Sequence, residues 1–404
     1  MTATRDVIIV GAGPAGSALA CFLAAQGLDV LLLDKAAFPR DKTCGDGLSP
    51  RAMRVLRSLG LLDQLLKAGW RINHIVLFAP NGRAIRAAVP PYADLPDFAL
   101  VLPRLQLDDL IRARAVEAGA DFRSSFTVTD LLRAGEQFAG VRALAPDGPA
   151  DFRARLTVLA TGATIGLLER AHLLSAPPAF GRAARAYYEG MSGLSDTVEF
   201  HFDSVPLPGY GWIFPISPTA ANVGAGYFVR PGQPPMRNSP VQVVREFVAN
   251  PYVKKMMNGA RPTSAVKGYP LRFDFPTART AWPGLALVGE ACGLVNPLTG
   301  EGIDYALESA ETAAEVLGMA LRNGEPPAFT AQKYGRALRG RFLRTFVNIT
   351  RVRDVYLRPW VMNRFASAAN KNEDLKLLLI HIALGNVDPI QALSPKTLLQ
   401  VARG

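Results

Sequence analysis

The chain has 404 residues, 49% of them apolar and 20% charged. That balance excludes a disordered or low-complexity protein and gives enough length for two or three subdomains. The net charge of +11 favours anionic partners such as acidic lipid, an acidic protein or a phosphorylated ligand, but no nucleic-acid-binding motif accompanies it. The three cysteines, Cys21, Cys44 and Cys292, lie far apart without CxxC spacing, which argues against a disulfide framework and for a reducing, cytoplasmic setting. His74, His172, His201 and His381 are equally scattered, and no metal site is expected.

In chain order, RDVIIVGAGPAGSALACFLAAQGLDVLLLDK reads as a complete βα unit. Val7–Val10 has the unbroken apolar character of a buried parallel strand. Ala15–Gln26 is an Ala-rich helix that can pack close to a sheet, Gly27 stops it, and Val30–Leu33 is the next strand. The uncharged run from Val7 to Ala25 mimics a membrane span or signal peptide. Its glycines and proline, however, come in turn-forming order, and Asp6 precedes it instead of a basic segment. The loop FPRDKTCGDGLSP, Phe38–Pro50, leads into a helical run over Pro50–Lys67. HIVLFAP is a strand with NGR as its turn, Pro103 opens a helix in RLQLDDLIRARAVEAGA, and VTDLLR, VRALA and RLTVLATGA are strands. A strand-rich middle from Arg182 to Arg272 includes VEFHF, GYGWIFPIS and ANVGAGYFV. GLALVGEACGLVNPLTGEGIDYALESAETAAEVLGMAL then reads as strand, loop and long helix, and beyond NGEPPA the chain is helical and basic.

GAGPAG fits the pattern GxGxxG. Gly11 permits the tight turn, Gly13 lets a pyrophosphate approach the main chain, and Gly16 lets helix and strand pack closely. The helix N-terminus offers free N–H groups to the phosphates. Asp34 ends the second strand, 18 residues beyond Gly16, where a carboxylate accepts hydrogen bonds from ribose hydroxyls. These features fit NAD or FAD. The segment Gly289–Leu307 separates the two. A strand ends at Glu290, Asn296, Pro297, Gly300 and Gly302 shape a loop, and a helix starts near Ile303. Bare amides at a helix start suit the negative charge that a reduced flavin carries around N1 and its C2 carbonyl. VGAGYF, Val223–Phe228, lacks the third glycine and the following helix, so no separate nicotinamide domain is expected.

The pairing of GAGPAG…LLLDK with VGEACGLVNPLTGEGI is similar to the FAD-containing hydroxylase superfamily. Within it, PRDKTCGDGL and YGWIFP resemble the geranylgeranyl reductase family, and the likeness covers about residues 5–320. The resemblance implies an α/β protein: a Rossmann-like FAD-binding domain over residues 1–70, 100–165 and 280–320, an inserted antiparallel β-sheet substrate domain over 71–99 and 166–279, and a helical C-terminal region over 321–404. It implies FAD, with Gly11, Gly13, Ala15, Gly16, Asp34 and Lys35 at its adenosine and pyrophosphate and Arg104 at the flavin. Gly45, Gly162 and Glu290 would lie beside the cofactor, with Pro297, Gly300, Gly302 and Ile303 along the loop over the isoalloxazine. It also implies hydrogenation of isoprenoid double bonds, with electrons from NADPH or an acidic ferredoxin. Two positions depart from the pattern. Thr161-Gly162 replaces the superfamily's usual Asp-Gly, and Glu290 stands where Asp is usual, one methylene longer.

Cys44 sits in a loop, where a structural cysteine is unexpected. In the resembling family the matching cysteine lies near flavin and substrate. A free thiol titrates near about 8.5 and is protonated at neutral pH. Double-bond reduction places a hydride from flavin N5 on one carbon and a proton on the other. Cys44 is the candidate proton donor, with Asp46 or a bound water as rivals. In GYGWIFP, Tyr210, Trp212 and Phe214 share one face of a strand. They make an aromatic wall for a polyprenyl chain, able to steady positive charge through its π faces. From Lys333 to Arg364, nine basic residues outnumber Asp354 alone, and Phe342, Phe346, Ile349 and Tyr356 recur at helical spacing. This stretch is a candidate for peripheral contact with an anionic membrane, against the alternative of a solvated basic face on a packed helix. A FAD-dependent monooxygenase, epoxidase or halogenase on the same fold is the alternative activity.

Overall fold

A computed structural model describes residues 4–174, 177–229 and 238–403. In the first sheet, Ala281–Trp282, Leu285–Leu287, Gly148–Leu159, Arg5–Val10, Val30–Leu33 and Asp121–Arg123 lie side by side in that order. Arg5–Val10 runs parallel to both neighbours, with Val7 opposite Leu156 on one side and Val30 on the other. Val7, Ile8 and Ile9 are wholly buried, as expected of a parallel strand covered on both faces. The helix Pro14–Ala24 starts on Pro14, whose missing N–H goes unneeded in a first turn. It packs against the helices Arg104–Glu117 and Ile303–Arg322.

The second sheet runs in the order Arg261–Pro262, Phe180–Glu189, Ala220–Phe228, Gly209–Pro215, Thr197–His201, His74–Phe78, Ala84–Ala88. Its pairings are antiparallel except that His74–Phe78 runs parallel to Thr197–His201. Residues 74–88 thereby join a sheet otherwise made of residues 180–272. A small third sheet of Gly47–Leu48, Ala99–Val101 and Trp70–Ile72 anchors the end of the cysteine loop.

Four stretches differ from the sequence reading. The strand expected to end at Glu290 is Leu285–Leu287, and Glu290 lies in the short 3-10 helix Gly289–Cys292 that follows, where Gly289 takes φ +62° and turns the chain. The run Pro50–Lys67 is two helices, Pro50–Ser58 and Leu62–Ala68, because Gly60 takes φ +77° and turns the chain between them. The strand-rich middle contains the helices Pro240–Val248 and Pro251–Met256. Ser239 and Asn250 cap them just ahead of a proline, and Val243, Val244 and Phe247 recur with helical period on the buried face. In the long helix Pro327–Tyr356, the apolar residues Phe342, Phe346, Ile349 and Tyr356 are all buried. Phe342 and Phe346 pack edge-on against Phe275 and Tyr305. That face meets the protein's own core, so it is not the membrane surface the amphipathic pattern suggested. Several of its basic residues are also engaged internally: Arg339 donates to the carbonyls of Pro276 and Ala278, and Arg341 to Thr312 and Glu311. No helix among the described residues is long and apolar enough to cross a membrane.

Candidate active site

A cavity of about 710 Å³ is lined at one end by Gly11, Gly13 and Asp34, in its middle by Cys44 and Arg104, and at the other end by Val352, Phe365 and Ile382. The first end is the glycine turn. Gly11 has φ +105°, and a Cβ there would stand 2.4 Å from the Ala160 carbonyl oxygen. A Cβ on Gly13 would meet only Arg40 Nη2, at 3.7 Å, so the space over its main chain is open to a ligand. Gly16 lies behind the turn, packed on Gly11, and does not line the cavity. Ala15 and Lys35 do line it. Asp34 Oδ2 accepts from Ala12 N at 2.7 Å and Oδ1 from Ala36 N at 2.9 Å. The carboxylate is thus fixed at the strand end, where a ribose would lie. An open cradle over Gly13, an uncapped helix start and a pinned carboxylate fit the adenosine diphosphate half of FAD.

In the middle, Arg104 is buried and gripped by Asp108, Nε to Oδ1 at 2.6 Å and Nη2 to Oδ2 at 2.8 Å. Arg40 Nη1 reaches the same Asp108 Oδ2 at 2.9 Å. Glu290 Oε1 accepts from Arg272 N, and its Oε2 lies 3.6 Å from Lys42 Nζ, which itself sits 4.0 Å from the Tyr269 ring centroid. Gly162 faces the Tyr269 hydroxyl, which accepts from Ala163 N. Gly300, Gly302 and Ile303 line the cavity, whereas Pro297 does not. Asn296 is what shapes this loop, its Oδ1 accepting from the amides of Leu298 and Thr299.

The amides at the start of the Ile303–Arg322 helix are not bare. Glu301 Oε1 accepts from Ile303 N at 2.7 Å and from Asp304 N at 3.3 Å. A carboxylate just before a helix satisfies the orphan donors of the first turn, and the sequence reading overlooked that this one is supplied by the loop itself. Burial pushes the Glu301 carboxyl up. Burial also pushes Asp304 up, with the Glu301 charge adding to it.

At the centre, Cys44 lines the cavity half-buried. Burial pushes its thiol up, with Arg104 opposing, so the thiol holds its proton at neutral pH. Asp46 is fully buried and takes φ +67°, a left-handed conformation that Asp tolerates better than most residues. Its Oδ2 accepts from Tyr187 OH at 2.6 Å and from Asn222 Nδ2 at 2.7 Å. Burial pushes this carboxyl up to about 6, against those two hydrogen bonds. Tyr210, Trp212 and Phe214 all line the cavity, with successive ring centroids 6.0 and 6.4 Å apart. The Tyr210 hydroxyl donates to the Thr299 carbonyl and ties this wall to the Asn296 loop. Gly45 lines the cavity, and a Cβ on it would come within 3.1 Å of Phe214.

Two groups of residues escaped the sequence reading. Beyond the aromatic wall the cavity continues as an apolar arm between Leu77 and Ile85 of the 74–88 hairpin and Val352, Phe365 and Ile382 of the C-terminal helices. Tyr187 and Asn222 hold the cysteine loop. Nothing local in the sequence singles them out: Tyr187 stands in FGRAARAYYE beside Arg185, Tyr188 and Glu189, and Asn222 is one amide in AANVGAGYF.

Fold and cavity together define an FAD-dependent oxidoreductase, and a family model described as FAD binding domain matches residues 4–166. The menaquinone reductase of Mycolicibacterium smegmatis is 32% identical over 325 residues, 78% of this chain and 77% of that protein. Digeranylgeranylglycerophospholipid reductase 1 of Methanopyrus kandleri is 32% identical over 348 residues, 84% of this chain and 88% of that protein. The crystal structure of a geranylgeranyl bacteriochlorophyll reductase-like protein from Thermoplasma acidophilum shares the fold, with a TM-score of 0.74 and 24% identity over 98% of this chain and 95% of that one. The chain belongs to the geranylgeranyl reductase family.

Proposed function

We propose that the protein saturates carbon–carbon double bonds in the prenyl chain of an isoprenoid lipid. The observation that carries this is the continuity of one cavity from the dinucleotide cradle, past a protonated thiol, into an apolar arm. The named relatives are reductases of menaquinone and of digeranylgeranylglycerophospholipid, lipids that have a polyprenyl chain in common.

Gly11, Gly13 and Asp34 hold the adenosine diphosphate half of the cofactor. Arg104, Glu290 and the Gly300–Ile303 segment border the flavin. Bound and reduced, FAD supplies the hydride. The prenyl chain lies in the arm, where burial stabilises it by about 25 cal/mol per Å² of apolar surface. Tyr210, Trp212 and Phe214 exclude water from the reacting double bond and turn π faces toward any positive charge that develops on it. Cys44 gives its thiol proton to the second carbon. Of the two side-chain candidates it is the better placed, because Asp46 is fully buried. Electrons come from NADPH or an acidic ferredoxin, and anaerobic bleaching of the flavin absorbance by each donor in turn separates the two. Contact with a membrane surface falls to Trp360, Leu398 and Leu399, exposed apolar residues of the C-terminal helices, with Arg358 and Lys396 exposed nearby in sequence.

The test is to mass-profile lipids from cells with and without the protein. Species richer by two hydrogens per reduced bond should appear only when it is present. Indistinguishable profiles would remove the proposal, and species gaining oxygen or halogen would replace it with one of the alternative activities.

A further inference from the structure

The loop that carries Cys44 is held from behind by polar side chains on two neighbouring strands. Arg185 and Tyr187 belong to Phe180–Glu189 and Asn222 to Ala220–Phe228, and Tyr187 stands opposite Asn222 across the ladder. Arg185 is fully buried, and its Nη2 donates to Asp41 Oδ1 at 2.5 Å and to the Lys42 carbonyl at 3.2 Å. Tyr187 and Asn222 converge on one oxygen of Asp46. Asn222 Nδ2 also donates to the Cys44 carbonyl at 2.7 Å, and its Oδ1 accepts from Trp212 Nε1 at 2.9 Å. One amide thus sets the register of the main chain that bears the thiol, the carboxylate two residues on, and the indole of the substrate wall. The other oxygen of Asp46 is buried without a hydrogen-bond partner, so Tyr187 and Asn222 are what fix this carboxylate. Arg185 and Asn222 are fully buried and Tyr187 half-buried, and all three direct hydrogen bonds onto the cysteine loop.

We propose that Tyr187 and Asn222 are positioning residues for proton delivery, a cross-strand pair that fixes the Asp46 carboxylate beside Cys44 and holds the thiol in register with the aromatic wall. This rests on the reductase reading above. The charged and titratable groups around Cys44 are Arg104, Lys42, Asp46 and Tyr210, and those around Asp46 are Tyr187, Arg185 and Arg104. Hydrogen bonds from Tyr187 and Asn222 favour the ionised carboxylate. The carboxylate in turn favours the protonated thiol. The reactivity of Cys44 should therefore report the ionisation of Asp46.

The test compares Tyr187→Phe and Asn222→Ser with wild type as flavin-loaded full chains. Cys44 is half-buried while Cys21 and Cys292 are buried, so alkylation by iodoacetamide, read by peptide mass, follows Cys44. Both variants should keep their flavin. Both should lose roughly tenfold or more in kcat; for Tyr187→Phe, whose hydroxyl bonds only Asp46 and not the wall, KM should change by less than about twofold, the split expected when an interaction made only during the reaction is removed. In wild type the alkylation rate should show a lower inflection near pH 6, where Asp46 ionises. Tyr187→Phe should move that inflection upward. Wild-type kcat or an unmoved alkylation profile in both variants would overturn the proposal. A wild-type protein that turns over no prenyl lipid overturns only the reductase reading, and the alkylation profile then decides the role of the pair by itself.

Discussion

Gly13→Ser separates the fold from the cofactor site. Gly13 is the residue that caps the Pro14–Ala24 helix, with φ −75° and ψ −175°, an extended conformation open to serine. A Cβ there meets only Arg40 Nη2 at 3.7 Å, an ordinary contact. Serine is the better helix cap, by a few tenths of a kcal/mol, so the apoprotein should melt at the wild-type temperature or slightly above. The added side chain instead fills the space a pyrophosphate needs. Losing two charge-assisted hydrogen bonds of about 1.5–3 kcal/mol each weakens FAD binding by about 3–6 kcal/mol, or ~10²–10⁴-fold in Kd. Thermal unfolding of the apoprotein and flavin titration followed by absorbance read the two effects separately. Gly11→Ala is the control. Its Cβ would stand 2.4 Å from the Ala160 carbonyl oxygen at φ +105°, so it should destabilise the fold itself. A Gly13→Ser protein that binds FAD as tightly as wild type would refute the placement of the pyrophosphate.

Three further outcomes follow from the same geometry. Cys44→Ser should keep flavin and lose ~10²–10⁴ in kcat, the usual worth of a positioned proton donor, and full turnover would take the thiol out of the mechanism. Met362→Trp places a large ring in the apolar arm that Met362 lines; KM should rise at least about tenfold for a long prenyl substrate and stay unchanged for a short one, whereas equal effects on both would place the chain elsewhere. The Asp46 carboxyl holds its proton to about 6, against the usual 3.8, so between those values the folded protein binds more protons than the unfolded chain and stability falls as pH rises. Above about pH 6 that difference costs about 3 kcal/mol. Asp46→Asn should flatten the decline seen in denaturant titrations between about pH 4 and 6 and raise stability at neutral pH while lowering turnover; an unchanged decline would contradict this.

What the sequence made legible is what neighbouring residues decide among themselves. The strand, turn and helix from Val7 to Ala24 follow from apolar run, glycine spacing and Pro14, and the wall of Tyr210, Trp212 and Phe214 follows from the two-residue period of a strand. What stayed hidden depends on partners distant along the chain. Asn222 reaches Asp46 across 176 positions and Tyr187 across 141, and no local pattern announces either. The apolar arm joins residues near 80 to residues beyond 350, so each half reads as ordinary core. The face of the 327–356 helix that looked free for a membrane meets Phe275 and Tyr305 instead, because amphipathicity shows that a face is covered and not by what. Glu301 was in plain view in GEGI, but its role as a cap depends on how the loop folds back on the helix.

The most direct test supplies the purified, flavin-loaded protein with a chemical reductant and a defined prenyl lipid under anaerobic conditions, and weighs the product. The account predicts lipid heavier by two hydrogens for each bond saturated, formed in step with flavin reoxidation. Lipid recovered with every double bond intact, while the flavin cycles normally, would contradict it.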